Sequence, residues 1–251
     1  MKKTILSTLL LLATISTFAQ VNLQLHYDFG RMMHRSSVPE RPQVTTTVEM
    51  FKPDAIGSTF FFVDFDYYSS GVAGAYWEIA REFNVAKANN NSSFAAHVEY
   101  NGGLSIAKGG FAARFQPAAL VGGAWNWHSN DFSSIFSLQV MYKQYFQQTT
   151  NAIKTKATSG FQTTAVWSTN FANGKVTFDG FADLWSGHIP SFDTNGEQKT
   201  GLVFLTEPQL WYNATSQFSV GTEVEISNNF LYTNDNTKFM VNPTLAVKWK
   251  F

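Results

Sequence analysis

The chain has 251 residues, with 18 Lys+Arg against 18 Asp+Glu, no cysteine, 16% aromatic residues and only 14% charged ones. A formal charge of +0 argues against a nucleic-acid partner, and the absence of cysteine excludes a disulfide scaffold. Soluble proteins carry about 25% charged residues, so this aromatic, charge-poor chain suits one large β domain or one closed barrel of about 230 residues after processing.

Residues 1–19 read as a secretory signal peptide. Lys2 and Lys3 open it, an apolar run from Ile5 to about Leu12 follows, and Ala19 supplies the small residue before Gln20. The run is too short for a spanning helix, and no cysteine stands at a lipidation position. Cleavage after Ala19 leaves 20–251 as the folded part, slightly acidic once Lys2 and Lys3 are gone. No later stretch is apolar enough for a helical span.

From residue 21 onward the dominant signal is period-two alternation, which puts successive side chains on opposite faces of a strand. About twelve such segments are predicted. Residues 21–29 carry Val21, Leu23, Leu25, Tyr27 and Phe29 on one face. The next segments are 43–52, 59–68, 75–85 and 94–101. The segment at about 112–127 is weaker, with Gly122 and Gly123 interrupting it. Residues 132–143, 159–170, 175–185, 202–212, 217–226 and 239–251 complete the set. Strands of about 9–12 residues suit a tilted crossing of hydrocarbon, whereas ordinary strands run nearer 5–6. Short connections at 53–57, 128–131, 171–174 and 213–216 alternate with longer ones at 30–42, 102–111, 144–158, 186–201 and 227–238. Two exceptions are expected, a short link at 69–74 and a long one at 84–93. Pro208 and Pro243 lack a ladder donor, so each predicts a bulge or a missing bond.

One face of nearly every strand is Phe, Val, Leu, Tyr or Trp. The other carries Asp28, Glu49, Asp64, Asp66, Glu78, Glu82, Glu99, Asp179, Asp183, Glu207, Glu223 and Glu225, with His26, His97 and Lys143. A soluble sandwich would turn the apolar face inward. A membrane barrel inverts this, with apolar residues toward lipid and polar residues toward a wet lumen. Long strands, aromatics near strand ends and a last strand closing on Trp249 and Phe251 favour an all-β, transmembrane antiparallel β-barrel. The Phe251 strand also suits recognition by the outer-membrane barrel assembly machinery, in the outer membrane of a Gram-negative bacterium.

The stretches "TFFFVDFDYY" (59–68), "YWEIAREFNV" (76–85), "FDGFADLW" (178–185), "FLTEPQLWYN" (204–213) and "VGTEVEISNN" (220–229) occur in that order. Together they resemble the nucleoside-specific channel-forming outer-membrane proteins of the Tsx type, across most of the mature chain. The resemblance implies a twelve-stranded barrel with a narrow lumen that passes nucleosides by diffusion; the chain itself is read as a monomer with no cofactor. Bases stack on aromatic faces, ribose hydroxyls suit carboxylate acceptors, and an acidic lumen disfavours anions. Candidate lumen residues are Asp28, Glu49, Asp64, Asp66, Glu78, His97, Glu99, Asp179, Phe181, Asp183 and Glu223.

Other readings remain open on the residues. The lumen acids are also what a plugged, non-transporting barrel would hold, and a secreted sandwich binding carbohydrate would show the same alternation. An enzyme is disfavoured, because His97 has no serine two places on, and His128 and Ser129 are adjacent and point apart on a strand. "GLSIAKGG" (103–110) lacks the ending of a phosphate loop and reads as an outer loop. No metal-ligand spacing is present. Arg31, Arg35 and Arg41 in the 30–42 loop could fold inward onto the acids.

Overall fold

The computed structural model describes residues 20–38, 41–106, 112–150, 153–192, 198–231 and 239–251. The expected leader, 1–19, lies outside them. These residues form a closed twelve-stranded antiparallel barrel. Its strands are β1 (Gln20–Asp28), β2 (Val44–Asp54), β3 (Gly57–Tyr68), β4 (Gly71–Asn89), β5 (Ser92–Ile106) and β6 (Ala118–His128, preceded by Ala112–Arg114). The circuit continues with β7 (Ser134–Tyr145), β8 (Thr158–Phe171), β9 (Val176–Phe192), β10 (Gln198–Thr206 with Gln209–Asn213), β11 (Phe218–Asn228) and β12 (Phe239–Lys250). A short hairpin, Gln148–Thr150 with Ile153–Thr155, and one helical turn, α1 (Gly30–Met33), stand between strands.

Each strand pairs with its sequence neighbours, and β1 closes on β12, with Asn22 opposite Lys250 and Asp28 opposite Thr244. The Phe251 amide adds a bond to the Val21 carbonyl at 3.0 Å. Closure removes the unpaired edge that hydrocarbon could not solvate. No helix among the described residues is long and apolar enough to cross a membrane.

Prolines accompany three of the irregularities, at Pro117, Pro208 and Pro243. The break in β6 falls at 115–117, ending on Pro117. The expected interruption at Gly122 and Gly123 is corrected, because both glycines pair with β5 and β7. β10 breaks at Glu207 and Pro208. Opposite Pro243 the β11–β12 ladder lapses at Thr222 and Glu223, where Thr244 bonds both residues instead, through its carbonyl and its hydroxyl. The long link expected at 84–93 is also corrected. β4 runs to Asn89 and β5 starts at Ser92, and irregularities between Asn84 and Ala86 and between Lys87 and Asn89 absorb the extra residues. Likewise 103–106 belongs to β5 rather than to an outer loop. The Phe171 turn needs no glycine at its centre, since Ala172 and Asn173 take φ of 50° and 56° and Gly174 N returns to the Phe171 carbonyl.

Burial is inverted. Along β1, Asn22, Gln24, His26 and Asp28 are buried, while Leu23, Leu25 and Tyr27 are exposed. On β12, Asn242, Thr244 and Lys248 are buried, and Leu245, Val247 and Trp249 are exposed. Leaving such side chains in water would cost about 1.5–3 kcal/mol each, so the outer surface is built for hydrocarbon. The sandwich reading is thereby overturned. Outward aromatics form two bands, with Tyr27, Tyr100, Tyr142 and Phe161 toward the loop end and Phe94, Trp127, Phe171, Tyr212 and Trp249 toward the terminal end. Aliphatic residues also face outward, among them Leu25, Ile79, Val98, Val121, Val140 and Leu245.

Leu25→Arg should therefore destabilise the barrel in lipid vesicles by up to about 4 kcal/mol, read from urea titration of heat-modifiable protein. In the terminal-end turn, Asp131 accepts bonds from Ser129 Oγ at 2.6 Å and from Ser133 N and Oγ at 3.1 and 2.8 Å. These bonds, the Ser129 hydroxyl first, hold its carboxyl down to about 2. Its folded value lies below the unfolded one of about 3.9. The turn's contribution is therefore complete above about pH 4 and fades as pH falls toward 2. Asp131→Asn should remove that acid-side slope in amide-exchange measurements on this turn.

Candidate functional site

Strand parity fixes which side chains enter the lumen. On β3, Asp64 and Asp66 point inward, and Thr47 and Thr45 of β2 donate hydroxyl bonds to them. The same parity brings Phe60 and Phe62 inside. On β4, Tyr76, Glu78 and Glu82 face the lumen, as do His97, Glu99 and Asn101 on β5. On β9, Asp179, Phe181 and Asp183 alternate with the outward Phe178 and Leu184.

The lumen residues fall into two networks on facing walls. In the first, His26 Nδ1 lies 3.1 Å from Thr244 Oγ1 and 3.6 Å from Glu223 Oε1, and His26 Nε2 lies 3.0 Å from Gln24 Oε1. Asn22 donates to Glu49 at 2.9 Å, and Gln209 donates to Glu223 at 2.6 Å. Trp211 Nε1 donates to Asp179 at 3.0 Å. The Lys248 ammonium sits 3.4 Å from Asp179 Oδ2 and 4.0 Å above the Trp211 ring, a cation–π contact. In the second network, His97 lies between Glu82 at 3.2 Å and Glu99 at 3.1 Å. Asn126 and Gln139 donate to the same Glu82 carboxylate. Lys143 donates to Gln162 at 2.6 Å, and its charge reaches Glu78, Glu99 and Asp183.

The structure thus places all of Asp28, Glu49, Asp64, Asp66, Glu78, His97, Glu99, Asp179, Phe181, Asp183 and Glu223 on the inner wall. Glu49, Asp179 and Glu223 belong to the first network and Glu78, His97, Glu99 and Asp183 to the second, while Asp64 and Asp66 bond to β2 and Asp28 to the 29–43 connection, so no single pocket gathers them. Glu49, Asp64, Glu78, Asp183, Glu207 and Glu223 keep partial exposure inside the barrel. Such exposure suits a narrow, wet passage. Arg41, Lys143 and Lys248 enter, and Lys250 shares their face at the terminal end, opposite Asn22; among the described residues these cations are fewer than the acids they face.

The 29–43 connection bears on that passage. Of its three arginines Arg41 turns in, with Nε donating to Asp28 Oδ2 at 2.6 Å and Nη2 to Glu225 Oε2 at 2.8 Å. Arg35 is exposed. Asp28 Oδ1 also accepts the Gly30 amide at 2.6 Å, and His34 Nε2 lies 3.0 Å from the Val241 carbonyl. Gly30 packs so closely that a Cβ there would stand 2.2 Å from Asn242 Oδ1, so this glycine lets α1 lie against β12. The loop latches the upper lumen on one side through Arg41. Parity alone would have revealed Trp211, Phe60, Phe62 and Tyr76 as lumen aromatics. Arg41 carries no such signal, because a loop has no period.

Residues 19–251 match the family described as a domain of unknown function, DUF5020, and the chain belongs to it. No curated protein matches the chain significantly. Among solved structures, the NanC porin aligns over 92% of this chain and 100% of its own, at 11% identity and a TM-score of 0.54. The KdgM porin in complex with disordered oligogalacturonate aligns over 92% and 99%, at 12% identity and a TM-score of 0.48. The translocator domain of the autotransporter NalP from Neisseria meningitidis covers 100% and 94%, at 9% identity and 0.43. At these identities the likeness is one of fold, the outer-membrane β-barrel.

Arg41→Ala should leave Asp28 and Glu225 without their shared counter-charge, which typically costs about 3–5 kcal/mol for a buried pair. In planar bilayers the variant should also conduct more current than the parent and favour cations more strongly.

Proposed function

We propose that this protein is an outer-membrane channel that passes small neutral or cationic solutes, nucleosides foremost, by facilitated diffusion. The observation that carries the reading is the partly exposed acidic lining, which Arg41, Lys143 and Lys248 do not neutralise. Facing acids in a narrow lumen concentrate cations and repel anions. Inward aromatics add faces on which a base can stack. The resemblance to Tsx-type proteins supports nucleosides within that class. The KdgM structure holds an oligogalacturonate, an anionic sugar chain that this lining would repel. The reading is non-enzymatic and monomeric, with no cofactor. His128 supports this, since its ring stacks on Phe132 at 4.0 Å and its Nδ1 bonds the Ser129 carbonyl at 2.8 Å, a turn-forming role. Export by the 1–19 leader and assembly through the β12 strand ending on Phe251 complete the proposal.

A second reading, a plugged barrel serving envelope structure or surface interaction, is favoured by one observation. Arg41 closes part of the loop-end lumen. Single-channel recording of refolded protein separates the two. A small ion conductance occluded by adenosine and not by galacturonate is the expected result. A folded, heat-modifiable barrel that never conducts would be the plugged form.

A further inference from the structure

On the β3–β5 wall, four inward rings follow one another between the barrel ends. Phe60 stands 6.0 Å from Phe62, Phe62 6.0 Å from Tyr76, and Tyr76 5.8 Å from Phe115. The interplanar angles are 49°, 51° and 78°, so the rings do not stack on one another and their faces stay available. Phe60, Phe62 and Tyr76 are half-buried, and Phe115 is 45% exposed. Gly103 makes room for Phe115, because a Cβ there would stand 2.5 Å from its ring. The polar groups beside Tyr76 point the same way. Its hydroxyl donates to Glu78 at 2.6 Å. Asn101 faces Glu78 across the β4–β5 ladder. It is only 4% exposed, and neither atom of its amide has a partner. Glu99 Oε1, two residues along the same face, is also unpartnered. A buried amide lacking both bonds is costly, and a solute that donates and accepts would satisfy it.

We infer that Phe60, Phe62, Tyr76 and Phe115 form a binding track for uncharged ring solutes bearing neighbouring hydroxyls, with Asn101, Glu78 and Glu99 as its hydrogen-bonding station. This rests on the channel reading for its purpose but not for its test. A hydroxylated ring presents an apolar face to an aromatic platform and donor–acceptor hydroxyls to an amide and a carboxylate. The 6 Å steps let it pass to the next ring before leaving the last. Such chemistry belongs to free monosaccharides and to the ribose of nucleosides alike.

The test is solute-observed NMR titration of the detergent-solubilised full chain with glucose and with adenosine. Phe62→Ala should raise the apparent dissociation constant about tenfold, as loss of one stacking platform does. Asn101→Leu, nearly isosteric, should weaken binding to a similar extent while leaving the barrel folded. Val140→Ala, on the lipid face, should change nothing. Binding of both solutes assigns the saccharide ring, and binding of adenosine alone assigns base stacking with the ribose at the amide; either supports the track. Binding of neither, or affinities unmoved by Phe62→Ala and Asn101→Leu, would overturn it. Binding without any ion current in bilayers would keep the track and defeat the channel reading.

Discussion

The pairing of β1 with β12 is the interaction on which everything else depends. In hydrocarbon an unpaired backbone N–H or carbonyl costs several kcal/mol, so an open sheet of this length could not reside there. The register from Asn22–Lys250 to Asp28–Thr244 closes the ladder and fixes parity around the circuit. Parity then sorts the side chains. His26, Asp28 and Lys248 can enter the interior only because Leu25, Tyr27 and Val247 are committed to the outside.

The interior solves a problem opposite to that of a soluble core. It must satisfy buried polar groups instead of packing apolar ones. Hydroxyls and amides take most of this role, as Thr45, Thr47, Gln209, Asn126 and Gln139 donate to the carboxylates of Asp66, Asp64, Glu223 and Glu82. Where cations do enter, each is shared. Arg41 spans two acids, and Lys248 lies on both Asp179 and the Trp211 ring. Among the buried atoms left without partners, those on Asn101, Glu99 and Asp183 belong to the wall of Lys143 and Tyr76, where the aromatic track runs.

Much of this was legible in the sequence, because a period of two is a direct record of faces. The strands at 59–68 and 217–226, and the acids of the lumen, follow from counting alternate residues. The same count places Phe60, Phe62, Tyr76 and Trp211 inside, although aromatic residues invite assignment to the lipid face on hydrophobicity alone. Bulges hide from such counting. Asn84 to Asn89 looks like a polar loop, yet it stays paired because extra residues are absorbed locally. Gly122 and Gly123 look like a break, yet the chain yields at 115–117, ending on Pro117 five residues before Gly122, where a ladder donor is missing. The inward turn of Arg41 was open to suspicion from its charge, but the choice of Arg41 over Arg35 depends on loop geometry alone.

A wet, acidic passage makes one demand that a plugged barrel or a basic pore does not share. The reversal potential of the refolded full chain in a planar bilayer, under a potassium chloride gradient, measures it directly. With acids in excess over Arg41, Lys143 and Lys248, the potential should lie toward the potassium equilibrium value and move toward zero as salt screens the lining. A potential on the chloride side, or no current from a folded barrel, would contradict an open acidic lumen.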